Sequence, residues 1–153
     1  GHRFADVARD ARPYFQASHL GRAVAAGDLD NDGDIDLVVT QLIEGAAILR
    51  NDSQPVGRVL RIRLIGRTSA RQPLGMRVEV YCGPNRYVSC VPSGQSFQAS
   101  HDERLCIAVG DAPTVDRVSV FWGDGQVESW FDLPVDADLS LVESTGTSQR
   151  QDR

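Results

Sequence analysis

Five aspartates fall within nine residues in the run Asp28-Leu29-Asp30-Asn31-Asp32-Gly33-Asp34-Ile35-Asp36. Carboxylates at that density repel one another and hold the chain open in water. A hard divalent cation reverses this, because Ca2+ accepts roughly six to eight oxygens from carboxylates, main-chain carbonyls and water. Loop positions 1, 3, 5 and 9 are Asp28, Asp30, Asp32 and Asp36, and position 7, Asp34, can offer its carbonyl. Gly33 at position 6 permits the sharp, positive-φ turn that wraps a chain round an ion. The spacing therefore predicts a metal site at Asp28, Asp30, Asp32, Asp34 and Asp36, with Ca2+ as the cofactor. Magnesium suits it less, because it keeps its waters and disfavours wide carboxylate cages.

The other reactive residue types form no comparable pattern. Position 12, where an EF-hand places a bidentate Glu, is Val39. His101-Asp102-Glu103 contains acid–base groups, yet adjacent residues on a strand face opposite sides. Ser93, Ser96 and Ser100 sit in no G-x-S-x-G elbow. Ser93-Gly94-Gln95-Ser96 lacks the G-K-[ST] ending of a phosphate loop. No catalytic residue is assigned, and a polar loop is expected at 101–103. Phe121, Trp122, Trp130 and Phe131 flank an Asp124-Gly125 turn signal. They are expected to serve core and cross-strand packing, with an exposed carbohydrate-binding or docking surface as the alternative. Asn51-Asp52-Ser53 is a formal glycosylation sequon, read here as chance.

The elements that must position the acidic run are strands. Ala23-Val24-Ala25-Ala26 precedes it and Ile35-Asp36-Leu37-Val38-Val39-Thr40 follows it, short and, in the second case, rich in β-branched residues. Gly45–Asn51 reads as a third strand of the same sheet. Phe4–Ala8 reads as a short strand, followed by a polar segment with Arg9, Asp10, Arg12 and Pro13, with Tyr14 and Phe15 packing back on the core. From Arg58 onward the pattern is one of short alternating segments separated by turns: 58–66, 75–82, 86–91, 104–109, 116–122, 126–131 and 139–142. Asp124-Gly125 marks a tight hairpin between two of them. Seven such strands without a helix predict an antiparallel β-sandwich. Residues 144–153 have no apolar anchor and read as a disordered tail.

Composition narrows the function. The chain has 153 residues, enough for a real core. A net charge of −5 and a pI of about 5.1 argue against nucleic acid and anionic membrane as partners. No apolar run approaches the roughly 20 residues that span a bilayer. All sixteen basic residues are Arg, which points to a GC-rich bacterial genome. Cys82, Cys90 and Cys106 form no C-x-x-C pair, so zinc is not expected. Cys82 and Cys90 flank a Gly83-Pro84-Asn85 turn without standing opposite one another, so buried free thiols are expected.

Two family resemblances follow from these residues. The complete D-x-D-x-D-G-x-x-D pattern between strands resembles the calcium loop of FG-GAP repeats, the blades of integrin-like β-propellers. Leu60-x-Ile62-x-Leu64-x-Gly66, Leu74-Gly75-Met76-Arg77-Val78 and Val115–Gly125 resemble segments of the ASPIC/UnbV domain. That domain follows FG-GAP repeats in the cartilage acidic protein family and in many bacterial secreted proteins. Leu49-Arg50-Asn51 resembles the L-x-N that joins repeat to domain. Gly123 stands where that family usually has Pro, Ala70 where it has Asn, and Cys106–Gly110 where it has an H-F-G-L-G-like run.

The resemblance implies an all-β fold: one propeller-blade-like unit at 1–57 packed with a transthyretin-like, seven-stranded sandwich at 58–143. The complete cation loop, the all-β layout and the lack of a nucleophile–base pair predict a non-enzymatic, calcium-binding structural or interaction module, the C-terminal part of a larger exported protein, extracellular or periplasmic. Its signal would lie outside this sequence, and Gly1-His2 reads as a tag scar. The expected partner is a protein or glycan, without membrane insertion. A single blade leaves open edges, so a homo-oligomer through them is a further expectation. The competing reading is an accessory carbohydrate-binding domain or a metal-dependent hydrolase fragment. That reading needs a metal shared with His101 or Glu103.

Overall fold

The computed structural model describes residues 3–7, 13–53 and 57–150, and the side chains of these apart from 149 and 150. Among the described residues, one helical turn, α1 (Pro13–Gln16), precedes eleven strands. The first three are β1 (Gly21–Gly27), β2 (Asp36–Gln41) and β3 (Ala47–Leu49), in one antiparallel sheet. The acidic run is the connection between β1 and β2, where Gly27 pairs with Asp36. Val24 stands opposite Val39, and Val38 opposite Ile48. Both faces of this small sheet are therefore apolar, and Ile48 is largely exposed.

The remaining strands build a sandwich. They are β4 (Arg58–Ile65), β5 (Arg77–Cys82), β6 (Asn85–Cys90), β7 (Leu105–Gly110), β8 (Thr114–Phe121), β9 (Gln126–Pro134), β10 (Asp138–Val142) and β11 (Thr147–Arg150). One sheet has the order β10-β4-β7 and the other β11-β9-β8-β5-β6. Alternate residues point between them. Leu60, Ile62, Val78, Val80, Val118 and Val120 are fully buried there. Burying side chains of this size stabilises the fold by about 1.5–3 kcal/mol each. The chain is all-β, as its alternating pattern predicts.

Four details depart from expectation. First, β10 pairs with β4 in parallel, Asp138 beside Arg61 through Val142 beside Ile65, so the sandwich is not antiparallel throughout. A parallel pair needs a crossover; here the chain passes through β5–β9 and returns to the first sheet at residues 135–137. Second, the polar stretch after Glu143 is not a free tail. It turns and adds β11 to β9 as an edge strand. The buried Glu128 carboxylate accepts from the Ser144 and Gly146 amides, so hydrogen bonding supplies the anchor that composition lacks. Residues 151–153 lie outside the description. Third, 4–7 runs as exposed irregular chain and not as a strand, and among the described residues it pairs with no strand. Residues 1–2, Ala8 and the polar 9–12 lie outside the description. Fourth, the three thiols are free, but only Cys82 is buried, and Cys90 is exposed at the end of β6.

A carboxylate-lined loop docked on the sandwich

Three of the five aspartates converge. Asp28, Asp30 and Asp36 each place a carboxylate oxygen within 4.8 Å of the other two. Asp28 ends the β1 side of the loop and is 2% exposed, while Asp36 opens β2 and is 1% exposed. The Asn51 and Leu29 amides donate to the two Asp36 oxygens at 2.8 and 2.9 Å. These bonds hold the Asp36 carboxyl below the usual carboxylate range. Asp28 Oδ2 accepts from the Gly33 amide at 3.1 Å. Asp28 Oδ1 is buried and has no hydrogen-bond partner. A buried, unsatisfied carboxylate oxygen costs about 1–3 kcal/mol or more.

Asp32 and Asp34 stand outside this group. Asp32 is exposed, and its Oδ1 accepts from the Asp34 amide at 2.9 Å, a local turn that shapes the loop. Gly33 takes a φ of 99°, the left-handed region expected for it. A Cβ there would also approach Val59 Cγ2 to 3.3 Å. Position 33 thus needs glycine both for its turn and for its close approach to β4.

The loop lies on the outer face of the β10-β4-β7 sheet, above the row Asp138–Arg61–Cys106. Arg61 is buried beneath it, with Nη1 3.8 Å from Asp28 Oδ2 and Nε 3.2 Å from Asp138 Oδ1. Arg104, just before β7, gives Nη2 to the Asp28 carbonyl at 2.7 Å and Nη1 to Asn31 Oδ1 at 2.7 Å. Its Nε holds Asp102 at 2.8 Å. Burial pushes the Asp102 carboxyl up, but the Arg104 hydrogen bonds and charge prevail and keep it below its usual range. Nothing in the spacing of Arg61 or Arg104 marks them in the sequence. Their burial among carboxylates is a product of the fold.

Residues 101–103 lie in a loop, as expected, and the stretch that contains them covers the free edge of β1. The Ala26 amide donates to His101 Nδ1 at 2.7 Å, and the Asp102 amide donates to the Ala26 carbonyl at 2.9 Å. A Cβ on Gly27 would meet Asp102 Cβ at 2.8 Å, so this contact also requires glycine. Glu103 is held by Gln72. Neither His101 nor Glu103 belongs to the group of three carboxylates. A groove of about 600 Å³ runs beside the loop, bordered by Asp32, Asp34, Cys106 and Asp136. Burial and the nearby Asp28 charge raise the Cys106 thiol, which keeps it protonated.

The family model for ASPIC and UnbV matches residues 66–148. The chain belongs to the ASPIC and UnbV family. The match spans β5 to β10 and enters β11, so the edge strand lies within the ASPIC and UnbV region. It begins one residue after β4, although β4 is the central strand of its sheet. Residues 21–49, with the acidic loop, precede the matched ASPIC and UnbV segment and dock on it. No curated protein matches the chain. Among the described residues, no helix is long and apolar enough to cross a membrane.

Proposed function

We propose that this chain is a calcium-stabilised, non-enzymatic structural and interaction module, the C-terminal part of a larger exported protein, extracellular or periplasmic. The observation that carries the cation is Asp28 Oδ1, buried without a partner inside a cluster of three carboxylates. Oxygens sharing one Ca2+ at 2.3–2.6 Å lie at most about 4.6–5.2 Å apart, and the 4.8 Å grouping fits that limit. Asp28, Asp30 and Asp36 would hold the ion, with the Asp32 side chain and Asp34 carbonyl completing the shell. The ion would neutralise the loop and pin β1 to β2, so that its binding free energy adds to folding free energy. The engagement of His101 by Ala26 and of Glu103 by Gln72 favours this reading over a hydrolytic metal centre.

The propeller context rests on the FG-GAP-like loop and on the small sheet, whose two faces are both apolar. A lone blade buries neither face, and neighbouring blades would cover both. The test is a melting curve in chelator and in millimolar calcium. At a free concentration of 100 times Kd the gain is about 2.7 kcal/mol, which raises the midpoint by roughly 5–10 °C for a chain of this size. Identical curves in the two buffers refute the proposal.

A further inference from the structure

On the far side of the sandwich from the acidic loop, the outer face of the five-stranded sheet carries an ordered array of cations and rings. Strand register sets its rows. Phe131, Arg117, Tyr81 and Arg86 lie side by side on β9, β8, β5 and β6. Two residues along each strand come Ser129, Ser119, Glu79 and Val88, and two further on Val127, Phe121, Arg77 and Cys90. Three guanidiniums face one carboxylate here, an excess of positive charge on a chain whose net charge is −5.

The array is held in place. Glu79 is buried beneath it and binds Arg86 through both carboxylate oxygens, at 2.6 and 3.2 Å. The Tyr81 hydroxyl donates to the same carboxylate at 2.6 Å. Arg86 and then burial act oppositely on Glu79, and the guanidinium wins, holding it ionised. The Arg77 guanidinium lies 3.7 Å over the Phe121 ring, and that of Arg117 4.0 Å over Tyr81. Arg117 Nε is buried and has no hydrogen-bond partner. Phe131 and Val88 remain more than half exposed at the two ends. Guanidiniums already fixed against rings lose little side-chain entropy when they bind, and their forked donors match carboxylates.

We infer that this face is a binding platform for an acidic polysaccharide, a uronate-containing chain lying across the strands. The exposed Phe131 ring accepts the apolar face of a pyranose, and Arg117 and Arg77, each seated on a ring of its own, meet the uronate carboxylates. This names the ligand class for the interaction module proposed above. It uses none of the loop residues, so either reading can fail alone. An outer sheet face suits a sugar chain better than a protein strand, which would seek a sheet edge.

Affinity electrophoresis through gels containing polygalacturonate, neutral dextran or poly-glutamate tests it. The run uses calcium-free buffer, below the melting midpoint measured in that buffer. The expected result is retardation by polygalacturonate only, weakened at least tenfold in Arg117→Gln and in Phe131→Ser, with midpoints near wild type. Equal retardation by poly-glutamate reduces the effect to bare charge and overturns the assignment. Absence of retardation, or variants that bind like wild type, overturns the platform itself.

Discussion

Arg104 Nη2 donates to the main-chain carbonyl of Asp28 across 2.7 Å. The sandwich thus grips the backbone of the acidic loop as well as its charges. Asn31, which sits at a φ of 63°, is held by the same guanidinium. Loop geometry is consequently set in part by a residue 76 positions away in the sequence.

Arg104→Met should therefore weaken calcium binding without touching a ligand. The carbonyl of Asp28 and the side chain of Asn31 lose their donor, and the loop must order at the moment of binding. An increase of about tenfold in the calcium Kd is expected, about 1.4 kcal/mol. Titration calorimetry with unchanged far-ultraviolet dichroism checks it. Arg104→Lys should recover only part of the loss, since one ammonium cannot span Asp28, Asn31 and Asp102.

Asp28→Asn tests the cluster directly. The variant keeps the size of the side chain and removes its charge from the ion. The calcium-dependent rise in melting midpoint should disappear, while the calcium-free midpoint changes less. A calcium shift equal to wild type would remove Asp28 from the site.

Glu143 governs acid stability. Burial acts to raise its carboxyl, yet the amides of Ser69 and Arg67 and the hydroxyls of Thr68 and Ser69 hold it down at about 2. A depressed native value contributes stability above the ordinary unfolded value of about 4.3, and that contribution fades as pH falls toward 2. Glu143→Gln should cost about 2–3 kcal/mol at neutral pH and flatten the decline between pH 4.5 and 2. Urea melts across that range measure both effects.

The thiols should separate by accessibility. Cys90 is expected to react with a disulfide reagent within the mixing time and Cys106 slowly. Cys82, tucked against the Val109 and Thr114 carbonyls, should react only on unfolding. Stopped-flow labelling of single Cys→Ser variants assigns each phase.

Gly33→Ala combines a left-handed backbone with contact to Val59. A loss of about 1–2 kcal/mol is expected, read as a lower midpoint in calcium and in chelator alike.

Strand positions were legible because alternation survives in single segments. Val78-Glu79-Val80-Tyr81 and Val118-Ser119-Val120-Phe121 each declare an inner and an outer face. The same alternation sorts the aromatics: Trp122 enters the core, while Phe131 stays outside. Parallel pairing of β10 with β4 was not legible, since direction depends on the route of the crossover and not on residue types. The role of Arg61 was hidden for a related reason. It occupies an outward position in an alternating strand, where a charged residue reads as solvated, and only the docked loop buries it. Asp32 and Asp34 follow the ligand spacing, yet their carboxylates stand apart because Asp32 caps the turn through the Asp34 amide.

The pairing of Arg61 with Asp138 joins residues 77 positions apart. On the ribosome, β4 and the acidic loop emerge long before the strand that closes over them. The sandwich cannot seal until β10 has cleared the exit tunnel, and such non-local closure is slow, in the range of milliseconds to seconds. A nascent chain halted before residue 138 would therefore present β4 as an unzipped edge, open to chaperones and to neighbouring chains alike.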